Sequence, residues 1–287
     1  MNKFSQVDFV KNNLGLDMAK SFIVDLPAES LPEGLEFPCL VKPVATLEGK
    51  KGDIRRFEDA EALMKYLVVL RGKGYERILV QKFLDIDYEF CLSGCCGEVI
   101  SYFVSKTVRA WPNVGGTGSW DNVMDEQDIH ELCVNILQKL SDMGYSGLID
   151  IELFKVGKKV YLCEINWRDS GRVFMCLGTK VYYPLVWYYS VTGQQDKISG
   201  MQLTTKDTTQ FGMCEESDIH HVLHAEPGFP RIKLSQWIHD IKSAQSLSVW
   251  HPDDKKPSFW LWTSPRTLIL TLMSNPMKNF IKRLLKV

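Results

Sequence analysis

At 287 residues, with 45% hydrophobic and 24% charged side chains, the chain can bury a sizeable core and is expected to form two or three lobes. Its 34 Lys and Arg against 35 Asp and Glu leave a formal net charge of −1, which gives no global reason to expect nucleic acid and confines any basic surface to a local patch. The 8 cysteines are scattered, several inside apolar runs, as free thiols in a reducing cytosol would be, and neither a signal pattern nor a run of about 18 apolar residues points away from a cytoplasmic protein.

Residues 3–13 predict a short amphipathic helix and residues 21–25 a strand. A connection rich in Pro and Glu, from Pro27 to Pro38, leads to a second strand over 39–41 that carries Lys42 at its mouth, placed to reach a ligand. The loop 45–53 holds Gly49, Lys50, Lys51 and Gly52; it reads first as a solvated turn, although its amides and charges also suit phosphates. A helix follows over 58–71, with Leu63, Leu67 and Leu70 on its apolar face.

Strands over 77–85 and 88–94 flank a short connection. Backbone groups of such a segment can recognise adenine, with a carboxylate left for the ribose hydroxyls, and Lys82 to Leu84 followed by Asp87 or Glu89 fill those places. The same segment also reads as a plain hairpin connection. A strand over 98–108 carries Lys106 and Arg109 into a run containing Gly116, Thr117 and Ser119, either a bed for an anionic substrate or a mobile surface loop. Residues 125–143 predict a long helix.

The densest chemistry lies in YSGLIDIELFKVGKKVYLCEINWRDSGR, residues 145–172. Two strand-like runs, 148–154 and 159–166, surround Val156-Gly157-Lys158, the pattern of an antiparallel hairpin. That pairing brings Asp150 near Glu164 and Asn166, three oxygen donors suited to a hard cation such as Mg²⁺ that also holds phosphate oxygens. Arg168 follows at once and could clamp a phosphoryl or carboxylate group.

Residues 181–191 predict a buried aromatic helix, and His220, His221 and His224 lack a carboxylate at metal-ligand spacing. From Lys255 onward the chain has seven Lys and Arg and no acid, with apolar residues at helical spacing near its end. Such a tail can lie on an anionic membrane face or dock on the protein's own acidic flank.

Taken in order, these motifs resemble the ATP-grasp superfamily over about residues 2–193, and Lys106, Arg109 and the GGTGS loop resemble its D-aspartate ligase-like branch of carboxylate-amine ligases. The resemblance implies an α+β fold in which two subdomains with antiparallel sheets sandwich ATP: a leading helix (1–20), a small lid (21–85), a large catalytic subdomain (86–198) and a C-terminal extension (199–287). It implies that Lys3, Lys42 and Lys106 hold phosphates, that Gln81, Lys82, Phe83 and Leu84 bind adenine, and that Asp87 or Glu89 takes the ribose. Asp150, Glu164 and Asn166 fall on its metal-ligand positions, while Arg168 and Arg109 would stabilise the transferring group and Arg172 a substrate carboxylate.

Two departures stand out. Gln81 replaces a common Glu, and the family's usual leading domain would precede Lys3, which implies a short form, a partner chain supplying the missing wall, or a truncated frame. The implied activity is a Mg²⁺-dependent, ATP-driven joining of a carboxylate and an amine through an acylphosphate; the alternative is an ATP-binding subunit that depends on a partner. The tail suggests a glycan or lipid-linked acceptor and peripheral membrane contact.

Overall fold

A computed structural model describes residues 5–44, 53–113, 115–226 and 228–263. Lys3, the loop residues 45–52 and the basic tail from residue 264 onward lie outside them. In chain order the elements begin with α1 (Ser5–Phe9), β1 (Asp17–Met18), β2 (Ser21–Asp25), β3 (Cys39–Pro43), β4 (Arg55–Phe57), α2 (Ala60–Gly72), β5 (Arg77–Lys82) and β6 (Tyr88–Cys96). They continue with β7 (Ser101–Trp111), β8 (Thr117–Val123), α3 (Gln127–Asp142), β9 (Gly147–Val156) and β10 (Lys159–Asn166). Next come α4 (Cys176–Thr179), α5 (Tyr183–Val191), β11 (Thr204–Thr205), β12 (Phe211–Met213), α6 (Glu215–Asp218) and α7 (His220–Leu223). The last are α8 (Leu234–Ser243), β13 (Ser246–Leu247) and α9 (Lys256–Thr263).

The chain divides into two compact units, one of residues 1–100 and 127–169, the other of residues 101–126 and 170–287. The division runs through 86–198, the stretch expected as the large subdomain.

In the first unit, β2-β5-β3-β4 form an antiparallel sheet. Helix α2 starts where the Asp59 carboxylate accepts the Ala62 amide at 2.8 Å, an N-cap that satisfies one of the open amides of the first turn. Its Leu63, Tyr66, Leu67 and Leu70 recur at helical spacing and pack on Val24, Val41, Ile78 and Val80 of the sheet. A second sheet, β1-β10-β9-β6, is antiparallel except for a parallel edge pairing of β1 with β10.

Register pairs Ile151 with Leu92 and Leu153 with Phe90, all fully buried, and α3 lies against β6 with its own stripe of Ile129, Cys133, Ile136, Leu137 and Leu140. Each fully buried Leu, Ile or Phe contributes about 1.5–3 kcal/mol. Because side chains alternate along a strand, this apolar face leaves the opposite face of β9 to Asp150 and Glu152.

In the second unit, β7-β8-β12 are antiparallel, β13 adds in parallel to β12, and β11 in parallel to β7. The sheets are therefore mixed at their edges rather than wholly antiparallel, within an α+β architecture. The second half of the GGTGS run is not a mobile loop: Thr117 opens β8, and the buried Ser119 accepts the Cys214 amide at 2.8 Å through its carbonyl. Helix α5 anchors through Tyr183, fully buried, with its ring 5.9 Å from that of Phe103. Among the described residues no helix is long and apolar enough to cross a membrane.

Candidate functional site

The β9-β10 hairpin turns through Gly157, whose φ of 56° suits a residue without a side chain. From the turn the register runs Val156 with Lys159 through Leu153 with Leu162. A regular ladder would next pair Glu152 with Cys163 and Ile151 with Glu164, setting Glu164 on the apolar face. Instead the register shifts by one residue between Leu162 and Glu164, so that Glu164 opposes Glu152, Ile165 opposes Ile151 and Asn166 opposes Asp150. A one-residue bulge at Cys163 thus gathers Asp150, Glu152, Glu164 and Asn166 on a single face.

The four side chains do different work. Asp150 is only 3% exposed; one of its oxygens accepts from Ser93 Oγ at 3.2 Å and the other from Asn166 Nδ2 at 3.3 Å. It therefore fixes the amide of Asn166, whose carbonyl oxygen points the other way. Glu152 and Glu164 are both half-buried and directly opposite. Sequence reasoning named Asp150, Glu164 and Asn166 here and missed Glu152, two residues beyond Asp150 on the same strand face. The three-residue interval between the buried Leu162 and Ile165, where a regular strand repeats every two, was the signal that could have revealed the bulge.

The charge of Lys42 acts on the thiol at the bulge. Burial pushes the Cys163 thiol up to about 12; the Lys42 ammonium pulls it down, while Glu152, Glu89 and Glu164 push it further up. Four charges therefore surround the bulge, one positive and three negative. Lys42 Nζ also donates to Gln81 Oε1 at 2.7 Å, and Gln81 Nε2 donates to Ser21 Oγ at 2.8 Å. An amide at position 81 can bridge these groups in both directions, accepting from the ammonium and donating to the hydroxyl, which a carboxylate cannot do.

In the segment expected to bind adenine, the amides of Lys82 and Phe83 donate to the Lys20 and Pro38 carbonyls at 2.8 and 2.9 Å. Arg56 stacks 4.2 Å from the Phe83 ring centroid, and Lys82 pairs with Glu36 at the surface. Asp87 caps the hairpin turn instead of facing a pocket, accepting the Gly157 amide at 2.7 Å. Glu89, opposite Phe154 on β9, lies on the same strand face as Cys91 and Ser93, which oppose Glu152 and Asp150. Trp167 packs between Phe9 and Tyr145, with centroids 6.0 and 4.9 Å away, and so anchors the turn that presents the exposed Arg168.

The remaining sequence candidates lie in the second unit, in two charge clusters. Arg109 donates to both oxygens of Asp218 at 3.0 and 2.6 Å and to Asp240 at 2.7 Å, with its guanidinium 4.1 Å from the Trp120 ring centroid. Ser119 Oγ donates to the same Asp218 at 2.7 Å. Arg172, 7% exposed, stands 3.1 Å from Asp121, and Asp121 accepts from Thr107 Oγ1 at 2.8 Å. A Cβ on Gly118 would come within 2.6 Å of the Arg172 guanidinium, so that glycine lets the arginine lie against the strand. Lys106 sits on β7 opposite Asn122; Gly116 is half-buried and Thr117 exposed.

The histidines gather around Trp111, with His220 stacked on its ring, His221 edge-on and His224 tilted, at centroid distances of 5.2, 5.2 and 6.0 Å. Burial lowers the His221 pKa from its usual 6.5; the Asp218 and Glu226 carboxylates oppose the shift and the Arg109 guanidinium adds to it. Below about pH 6.5 the unfolded chain therefore binds a proton that the folded chain does not, and stability falls with pH until the lowered folded value is passed. Urea midpoints are expected to drop more between pH 7.5 and 5.5 for the native protein than for His221→Gln. Equal drops would contradict this account.

Among the described residues no three His, Cys, Asp or Glu side chains converge closely enough to hold a metal by themselves. Glu152, Glu164 and Asn166 offer two carboxylates and an amide oxygen on one face. That partial set fits Mg²⁺, which commonly takes one or two protein carboxylates and completes its shell with water and phosphate oxygens.

No family model matches the chain. Over 155 residues it is 29% identical to a formate-dependent phosphoribosylglycinamide formyltransferase of Cupriavidus necator, covering 50% of this chain and 38% of that protein. The enzyme of the same name from Nitratiruptor sp. is 29% identical over 182 residues, covering 61% and 46%. The chain thus spans less than half the length of these curated relatives. Among solved structures it resembles an N5-carboxyaminoimidazole ribonucleotide synthetase from Thermus thermophilus (TM-score 0.54, 20% identity, 67% of this chain and 52% of that one). It also resembles an L-amino acid ligase from Bacillus licheniformis (TM-score 0.52, 16% identity, 73% and 51%). The ordered motifs on this fold, together with these relatives and solved structures, support membership of the ATP-grasp superfamily.

Proposed function

We propose that this chain carries the nucleotide-binding and phosphoryl-transfer machinery of an ATP-dependent carboxylate-amine ligase. The observation that carries this reading is the bulge at Cys163, which sets Glu164 and Asn166 beside Glu152 and Asp150 and within the field of Lys42. In the proposed reaction a substrate carboxylate attacks the γ-phosphorus of ATP and releases ADP. An amine then attacks the acylphosphate carbon and expels phosphate, leaving an amide after loss of a proton.

Each residue has a defined part. Glu152, Glu164 and Asn166 would hold Mg²⁺, whose charge offsets that developing on the β- and γ-phosphates. Lys42 contacts phosphate, oriented by Gln81; Lys3 and Lys106 are assigned the same role from the family resemblance. The stretch from Gln81 to Leu84 takes the adenine, and Glu89, rather than the turn-capping Asp87, takes the ribose. Arg168, exposed beside the acidic face, would meet the transferring group. Arg109 and Arg172, with Gly116, Thr117 and Ser119, are proposed to shape the substrate side of the reaction through the strands they hold in register.

A screen of the full chain with Mg-ATP against amino acids, sugar acids and formate, each paired with a panel of amines, tests the proposal through ADP and phosphate release. Formate is included because the relatives' names specify it. ADP formation that requires both an acid and an amine is the expected result. ATP binding by calorimetry with no turnover across the panel would instead support a partner-dependent nucleotide-binding subunit.

A further inference from the structure

The second unit contains a cavity of about 780 Å³ that shares no residue with the acidic face. It lies within the size range of small-molecule sites. Three indoles contribute to its wall, those of Trp237, Trp250 and Trp262, together with the aliphatic side chains of Ile219 and Ile241. The Trp237 and Trp262 rings meet edge to face at 6.3 Å.

The wall is pre-formed. Glu215, 1% exposed, accepts the amides of Ser248, Val249 and Trp250 at 2.9, 3.1 and 2.8 Å and the Ser248 hydroxyl at 2.8 Å. Four donors thus satisfy a buried carboxylate and fix the segment that presents Trp250. Gly178 completes the arrangement by donating its amide to Ser246 Oγ at 2.8 Å beside the cavity strand β13.

Charge sets the polarity of the occupant. With Glu215 satisfied by three backbone amides and the Ser248 hydroxyl, the other charged groups of the wall among the described residues are the exposed Lys180 and Lys242, and His251 adds an imidazole. An apolar, aromatic chamber with cations at exposed positions matches a molecule with an apolar body and one anionic head. We propose that this cavity binds a small amphipathic carboxylate. The body packs on the indoles, and the carboxylate meets Lys242, with Lys180 nearby on the wall. Two sources share that chemistry, an aliphatic chain acid and an aromatic acid, and only the fit of the body separates them.

The test uses the full chain with 8-anilinonaphthalene-1-sulfonate as the fluorescent probe, displaced in separate titrations by laurate, indole-3-acetate and the neutral dodecanol. Saturable probe binding near one equivalent is expected, with displacement by one of the two acids. Laurate identifies the aliphatic source and indole-3-acetate the aromatic one. Lys242→Glu, an exposed substitution that leaves the wall intact, should weaken the displacing acid by about fivefold or more and leave dodecanol unchanged. Absence of saturable probe binding overturns the proposal. So does an equal effect of Lys242→Glu on acid and alcohol, since that would report altered packing rather than recognition of the carboxylate. ATP turnover is not read in this experiment, so its outcome stands apart from that of the ligase reading.

Discussion

Glu164→Gln is expected to lower ADP release by about a thousandfold while leaving the unfolding midpoint nearly unchanged. The substitution preserves volume and the strand register, and the side chain is half-buried on a polar face, so packing changes little. What it removes is one of two opposed carboxylates from the proposed cation site. Loss of such a charge costs several kcal/mol of transition-state stabilisation, and about 4 kcal/mol corresponds to a thousandfold in rate. Glu152→Gln should behave alike, because the bulge makes the two residues cross-strand partners. Asp150→Asn should act more weakly, through the orientation of Asn166. Steady-state ADP release over a Mg²⁺ titration distinguishes the three, and normal turnover by Glu164→Gln would remove the assignment of this face.

Arg109→Met should cost about 3–5 kcal/mol of stability, the range for breaking one side of a buried ion pair. Asp218 is fully buried and Asp240 is 3% exposed, and a single guanidinium compensates both. Methionine fills much of the volume against Trp120 but leaves the two carboxylates, among the described residues, with Ser119 and Gln236 as side-chain hydrogen-bond donors. Adding Asp218→Asn to the variant should recover part of the loss, because it removes one of the uncompensated charges. Urea unfolding of the single and double variants measures both effects. A single variant within about 0.5 kcal/mol of the native protein would show that this network does not support the fold. Any activity lost in Arg109→Met must therefore be read alongside its stability.

Much of the fold was legible because its signals are local. The strand over 21–25 and helices α2, α3 and α5 follow from alternation, an Asp N-cap and i, i+3, i+4 spacing, all contained within one element. The hairpin was legible for the same reason, from a glycine between two strand-like runs. Its bulge was missed because one inserted residue leaves composition untouched and alters only the phase of alternation. The partners of Arg109 and Arg172 were hidden for a different reason. Asp218 and Asp240 lie more than 100 positions from Arg109, where no periodicity connects them. An arginine that looks available for a phosphate in sequence can be fully engaged by carboxylates that only the fold brings near. Similarly, Asp87 and Glu89 have equal claims by spacing, and only the Gly157 amide separates them.

The bulge at Cys163 makes the proposed chemistry depend on parity. Along β10, whether Cys163 is paired or left out of the ladder decides which side of the sheet receives the Glu164 carboxylate. Substitutions at 163 that keep the count preserve the site's sidedness. A single deletion there would remove the unpaired residue and close the ladder into regular pairing with Glu164 still opposite Glu152, whereas drawing Cys163 into the ladder would turn Glu164 toward the side of Ile151 and Leu92. The site thus tolerates both a change of residue at 163 and its loss better than the entry of that residue into regular pairing. In this hairpin the residue left out of the ladder decides the chemistry of those kept in it.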